Sequence, residues 1–292
     1  MKKESGFTLV ELMVSLALGL GMSWVMLDIS LNAARNGQDI RSNGAVIEKG
    51  RYLGGLLQRE IKHAGFYGRM TSVGVTSVTP QTDWCTLSPT KDHLTIPIFG
   101  LDNVNTLCSN SILSGSDVLM VRRASTAQTT SADMVSQQHY IQSSFDDLII
   151  ALGNPTVFLL PEMDGTTVAP IRRFYQDIYF VDSNNNFMRR RLIKGAVTNE
   201  PLIEGVDDFQ LEYGIDTNGD NLADTFSSTP IYNDYFQWQN VKTVTVFLLV
   251  SGEESSQEDT KTYNYSDKSN VSFSDKKKRR LFSFTVAVGN QY

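Results

Sequence analysis

The densest run of chemistry-bearing side chains lies late in the chain. Asp216-Thr217-Asn218-Gly219-Asp220-Asn221-Leu222-Ala223-Asp224 puts acids or Asn at the first, third, fifth and ninth positions of a loop. The Leu222 carbonyl falls at the seventh. Hard oxygen donors in that rhythm suit Ca²⁺ rather than a transition metal. They predict a structural calcium ion held by Asp216, Asn218, Asp220, Leu222 and Asp224. Two positions depart from the pattern. The sixth is Asn221 instead of Gly, although Asn tolerates left-handed φ. The twelfth is Ser227, so the bidentate Glu is missing. The competing reading is an Asn-Gly turn whose aspartates cap neighbouring N–H groups.

A second anomaly is Glu11, the one charged residue between Phe7 and Leu27 in an otherwise apolar run. As a helix that run spans about 31 Å, one hydrocarbon core. A carboxylate there is costly and marks function, unless it simply snorkels to the interface. Lys2 and Lys3 precede the run and stay cytoplasmic, so the rest of the chain faces outward. A secretory signal would place its small-residue cleavage site after the apolar stretch; here Gly6 comes before it. Other catalytic signals are lacking. His63, His93 and His139 are far apart and form no ligand set, and no phosphate loop or nucleophile elbow is present. The reading is a non-enzymatic chain with no small-molecule substrate.

The elements that must position these residues follow from pattern. The 292 residues carry a net charge of −6, and their acidic total argues against a nucleic-acid partner. All eight prolines lie at or beyond Pro80, so nothing interrupts a helix before it. Val46, Gly50, Leu53, Leu57, Ile61 and Ala64 recur at helical spacing and form one apolar stripe, predicted to pack on the domain that follows. Beyond Gly65 the chain predicts strands at 94–96, 118–121, 156–160, 173–181, 187–193, 209–213, 241–250 and 282–288. Residues 125–138 read as an exposed loop, and 251–278 as a protruding hairpin or mobile loop. Cys85 and Cys108 lie in the outward domain, where an oxidising compartment favours a disulfide worth about 3 kcal/mol over the alternative of two free buried thiols. Lys276 to Arg280 is a basic run, read as a solvated strand entry against contact with an acidic partner or DNA. Tyr232, Tyr235, Phe236 and Trp238 are read as core, against a partner-contact patch.

Residues Gly6-Phe7-Thr8-Leu9-Val10-Glu11-Leu12 resemble the leader and cleavage motif of type IV prepilins and type II secretion pseudopilins. The resemblance implies that prepilin peptidase cuts between Gly6 and Phe7, that Phe7 is N-methylated, and that Glu11 occupies the family's acidic position. In a low-dielectric filament core a neighbouring subunit's amino terminus would offset the desolvation of Glu11 and register the entering subunit. End to end the chain resembles the PilW family of type IV pilus minor pilins. That likeness rests on the leader, the Asp117-Val118-Leu119 strand entry, Glu204 to Phe209, Tyr213 to Asp220, and Arg279-Arg280 with Phe282 and Thr285-Val286.

The resemblance implies an α+β, type IV pilin-like fold: a long N-terminal helix, transmembrane in its first half, packed on a large antiparallel β-rich domain. The expected divisions are leader 1–6, transmembrane helix 7–27, amphipathic periplasmic helix 28–65 and globular domain 66–292. It implies a minor pilin of a tip or priming complex, working with other minor pilins, a tip adhesin, prepilin peptidase and the inner-membrane assembly platform. The inner membrane would hold it before assembly, and the pilus afterwards. Twitching motility, adhesion and DNA uptake are the expected consequences. Two alternatives share the same residues: a type II secretion pseudopilin of the J type, and a membrane-anchored calcium or adhesion module that never assembles.

Overall fold

The computed structural model describes residues 8–70, 85, 89–228, 230, 235–255, 258 and 260–289. Gly6, Phe7 and Tyr232, with the side chains of Tyr235 and Phe236, lie outside the described residues. Helix α1 (Leu9–Lys62) runs unbroken for 54 residues, about 80 Å. Its two halves have different surroundings. Val46, Gly50, Leu53, Leu57 and Ile61 are buried, as the stripe predicts, and Ala64 continues it past the helix end. From Leu9 to Leu31 every large apolar side chain is exposed.

The first sheet holds β1 (Ile98–Leu107), β2 (Asn110–Thr129), β3 (His139–Ser143), β4 (Leu148–Leu152), β5 (Ile171–Val181), β6 (Asn186–Ile193) and β7 (Ala196–Glu204). Its order is β1-β2-β5-β3-β4, with β6 pairing the far end of β5 and β7 outside β6. The second sheet holds β8 (Val206–Ile215), β9 (Thr225–Ser227), β10 (Val241–Glu254) and β13 (Lys277–Ala287), ordered β13-β10-β8-β9. Between its last two strands the chain makes a ribbon, β11 (Thr262–Tyr265) with β12 (Lys268–Ser272). All of the strand pairs are antiparallel.

The helix stem lies on β10 and β13, where close approach needs small residues. Phe282 rests on Gly50 and Phe284 on Gly54. A Cβ at Gly252 would stand 2.9 Å from the Ser42 carbonyl and from Val46 Cγ2. Polar ties close both ends of this contact. Gln38 Nε2 and Ser42 Oγ donate to the carbonyls of Glu254 and Glu253, at 2.8 and 2.9 Å. At the other end Glu60, buried, takes a two-pronged pair from Arg123 of β2 at 2.6 and 3.1 Å. The two sheets meet along β8. There Ser116 Oγ donates to the Phe209 carbonyl, and Asp117 Oδ2 accepts from Leu211 N at 2.8 Å. Side chains of β2 thus stand in for a missing strand on that stretch of β8.

Several sequence expectations need correction. Residues 91–95 form a 3-10 turn (Lys91–Thr95) and not a strand. Residues 156–160 are irregular because Asn154 Oδ1 caps Thr156 N and Oγ1, and Leu160 N donates to the side chain of Gln142. The polar stretch 125–138 is only partly loop: β2 runs on to Thr129, held by Arg172, whose guanidinium donates to the carbonyls of Ser125 and Thr126. The segment 251–278 does not protrude. Tyr263, Tyr265, Val271 and Phe273 fold it back on Leu249, Phe247 and Leu281.

Cys85 and Cys108 are bonded, with Cα atoms 5.2 Å apart. Trp238, on helix α2 (Tyr235–Gln239), is buried between Phe99 and Tyr213, so it belongs to the core. Within the basic run Lys276, Lys277 and Arg280 are exposed, but Arg279 is buried. It pairs with Asp207 and Asp275, both at 2.5 Å.

Gly252→Val should drive a branched side chain into the helix backbone and destabilise the domain by about 1–3 kcal/mol. Gly55→Ala, with open space around it, should gain up to about 1 kcal/mol of helix stability. Urea unfolding followed by circular dichroism checks both.

Candidate functional site

The site begins at the helix start. Thr8 is the N-cap: its side chain accepts from Glu11 N at 3.3 Å. Glu11 Oε2 in turn accepts from Thr8 N at 2.8 Å and from Thr8 Oγ1 at 2.9 Å. This is a capping box, and it draws the one carboxylate of the apolar half onto its own helix terminus. The hydroxyls further along are hidden the same way. Ser15, Ser23 and Ser30 each donate to the carbonyl four residues back, at 2.7, 2.8 and 2.9 Å. With those bonds made, the helix surface presents apolar side chains and no serine hydroxyl in need of water. It is the one described helix long and apolar enough to cross a membrane, with a mean hydropathy of 1.8 over its best window. Glu11 remains the exception, since among the described residues no cation pairs with it. The spacing Thr8-x-x-Glu11 carries the cap in the sequence; the reading of Glu11 as a registration group passed over it.

The acidic loop lies at the opposite end of the domain. Its first residue hydrogen-bonds Asn240 at the head of β10, and the foot of β10 meets the helix at Gln38 and Ser42. The loop is therefore on the side away from the apolar half of the helix. Asp216 is buried, and its Oδ1 accepts from Asn218 N and Gly219 N at 3.1 and 2.6 Å. Its Oδ2 accepts from Asn221 N at 2.8 Å, with Lys242 Nζ at 3.9 Å. Asn221 and Gly219 both have positive φ, as the turn requires. Asp220 accepts from Leu222 N, and Asp224 from Thr217 N, both at 2.8 Å. Burial pushes the Asp216 carboxyl up, but these N–H donors and Lys242 outweigh it and hold it below the usual range. The side chains thus serve the loop's own amides. Among the described residues no three His, Cys, Asp or Glu side chains gather as a metal-holding group. The histidines likewise stand apart: His63 Nδ1 lies 2.8 Å from the Arg59 carbonyl, and burial holds His93 down to about 4.

Two comparisons bear on this arrangement. Residues 1–24 match the prokaryotic N-terminal methylation motif, a stretch that includes Gly6, Phe7 and Glu11. Residues 178–290 match the family described as type IV pilus-assembly protein W. Over these two stretches the chain is similar to PilW-family, prepilin-like proteins. The PilW match starts inside β5 and takes in the second sheet, the ribbon, the acidic loop and the buried Arg279 pair. No curated protein and no solved structure matches the chain. The two matches support a type IV pilus-related minor pilin at family level, and the α+β architecture, with its long apolar helix and antiparallel sheets, is consistent with a pilin-like fold.

Proposed function

We propose that this chain is a non-enzymatic subunit of a type IV pilus tip or priming complex. The observation that carries the reading is the methylation motif leading directly into a half-helix with no cover. In this reading the apolar half holds the precursor in the inner membrane, with the β-rich domain in the periplasm. Prepilin peptidase frees Phe7, which is then N-methylated. The helix next leaves the bilayer for a filament core, where Glu11 meets the amino terminus of a neighbouring pilin. Leaving one apolar medium for another costs little hydrophobic free energy, so the Glu11 pair and shape decide register. Other minor pilins are the lateral partners and a tip adhesin is the cargo, so pilus assembly, twitching motility and adhesion depend on the subunit.

Deleting the gene should abolish pili and twitching while leaving protein secretion intact. Restoring it as Glu11→Ala should not rescue them. Loss of secretion with normal pili would instead assign the chain to type II secretion as a J-type pseudopilin. Full rescue by Glu11→Ala would reject assembly through the helix.

Calcium at the acidic loop is a lesser part of the proposal. An ion there would take oxygens of Asp216, Asn218, Asp220 and Asp224 with the Leu222 carbonyl, and would stiffen the end of the domain away from the helix. Titration calorimetry with millimolar calcium chloride should give heat that Asp220→Ala abolishes. No heat would leave the loop held by its hydrogen bonds alone.

A further inference from the structure

The junction between the two sheets contains carboxyl groups that the assembly reading does not use. In the β1–β2 ladder Leu101 faces Val118 and Val104 faces Ser116, so Asp102 and Asn103 both stand opposite Asp117. This is a bulge, and Asn103 takes positive φ within it. Directly opposed carboxylates on paired strands repel. Asp117 is 1% exposed, and each of its oxygens accepts a backbone N–H, from Asn103 at 3.0 Å and Leu211 at 2.8 Å. Asp102 Oδ2 accepts from Asn103 Nδ2 at 2.9 Å. Its other oxygen, Oδ1, is buried and meets no N–H or O–H donor among the described residues. A buried acceptor in that position is satisfied if a proton sits on one of the two carboxyls.

The surrounding groups supply one cation against several acids. From β8 come Asp208 and the Tyr213 hydroxyl, whose ionisation is disfavoured by burial and further by the charges of Asp117 and Asp102. From the ribbon come Tyr265, donating to Asp208 at 2.7 Å, and Asp267, accepting from Asn103 Nδ2 at 3.0 Å. Lys268 donates to Asn103 Oδ1 and lies 3.9 Å from Asp267. One ammonium does not offset four carboxylates at a buried joint.

We infer that Asp102 and Asp117 share one proton, and that this proton pins the first sheet to β8 and the ribbon, making the junction a pH-sensitive joint. Loss of the proton to water leaves two opposed carboxylates with only Lys268 nearby, and loosens the Leu211 contact and the ribbon. The buried surroundings favour the protonated form of both acids. Burial pushes Asp117 up to about 8, with Asp102 and Asp208 adding to the rise while the N–H groups of Asn103 and Leu211 oppose it. Burial likewise raises Asp102. The sign follows: between the ordinary carboxylate range and about 8 the folded chain holds more protons than the unfolded chain, so stability falls as pH rises. The pair then titrates as a unit.

The test is thermal unfolding of the full chain in detergent, followed by tryptophan fluorescence at pH 5 and pH 9. Asp102→Asn carries a permanent amide donor in place of the shared proton. The wild type should lose several degrees more than this variant between the two conditions. An equal pH dependence in both would overturn the proposal. Hydrogen exchange at the Leu211 amide of the wild-type chain, corrected for the intrinsic pH effect, is independent of any variant. Faster exchange at pH 9 is expected, and unchanged protection would overturn the joint.

Discussion

Everything in this molecule depends on one helix being covered along half its length only. The stem is held by close packing on β10 and β13, where Gly50, Gly54 and Gly252 let backbone and rings approach. Glycine costs up to about 1 kcal/mol per helical position in propensity. The compensation is contact: Leu53, Leu57 and Ile61 are fully buried, each worth roughly 1.5–3 kcal/mol. With no proline to break it, the same rigid rod carries the uncovered residues 9–31 away from the domain. Those residues cannot remain in water as they stand, so a bilayer or other helices must take them.

The domain resists being pulled apart through ionic ties at its seams more than through ordinary surface pairs. Glu60 with Arg123 joins helix to first sheet; Arg279 with Asp207 and Asp275 joins β13 to β8 and to the turn that precedes it. Arg123 and Arg191 also lie over the Tyr175 ring, at 4.8 and 4.6 Å, and Arg191 pairs with buried Asp177. Buried pairs of this kind contribute less net stability than apolar packing would, yet breaking one is costly. Each holds a particular pair of elements face to face. Asp117 belongs to the same class, but its partners are backbone amides and another acid, which makes its seam responsive to protons.

Much of this was legible in sequence where period and compartment speak directly. The stem stripe from Val46 to Ala64, the β10 run and the alternating β13 all announce themselves by spacing. Cys85 and Cys108 followed from the outward-facing domain. The failures share a cause. At 125–129 and 156–160, local composition was overruled by side chains distant in sequence or by an Asx cap, Arg172 in one case and Asn154 with Gln142 in the other. The polar segment 251–278 hid its apolar residues at Tyr263, Tyr265, Val271 and Phe273, too sparsely spaced to read as a core-facing ribbon. At the acidic loop the rhythm of Asp and Asn suits a calcium site and equally a turn that satisfies its own amides.

The central claim is that residues 9–31 of the helix end among the helices of a filament. Crosslinking mass spectrometry on sheared pili, with photoreactive groups introduced at Leu18 and Met22, addresses it most directly. The account predicts crosslinks from both positions to the N-terminal helices of other pilins. Recovery of the chain only in the membrane fraction, with crosslinks to lipid and none to pilins while pili are abundant, would contradict it.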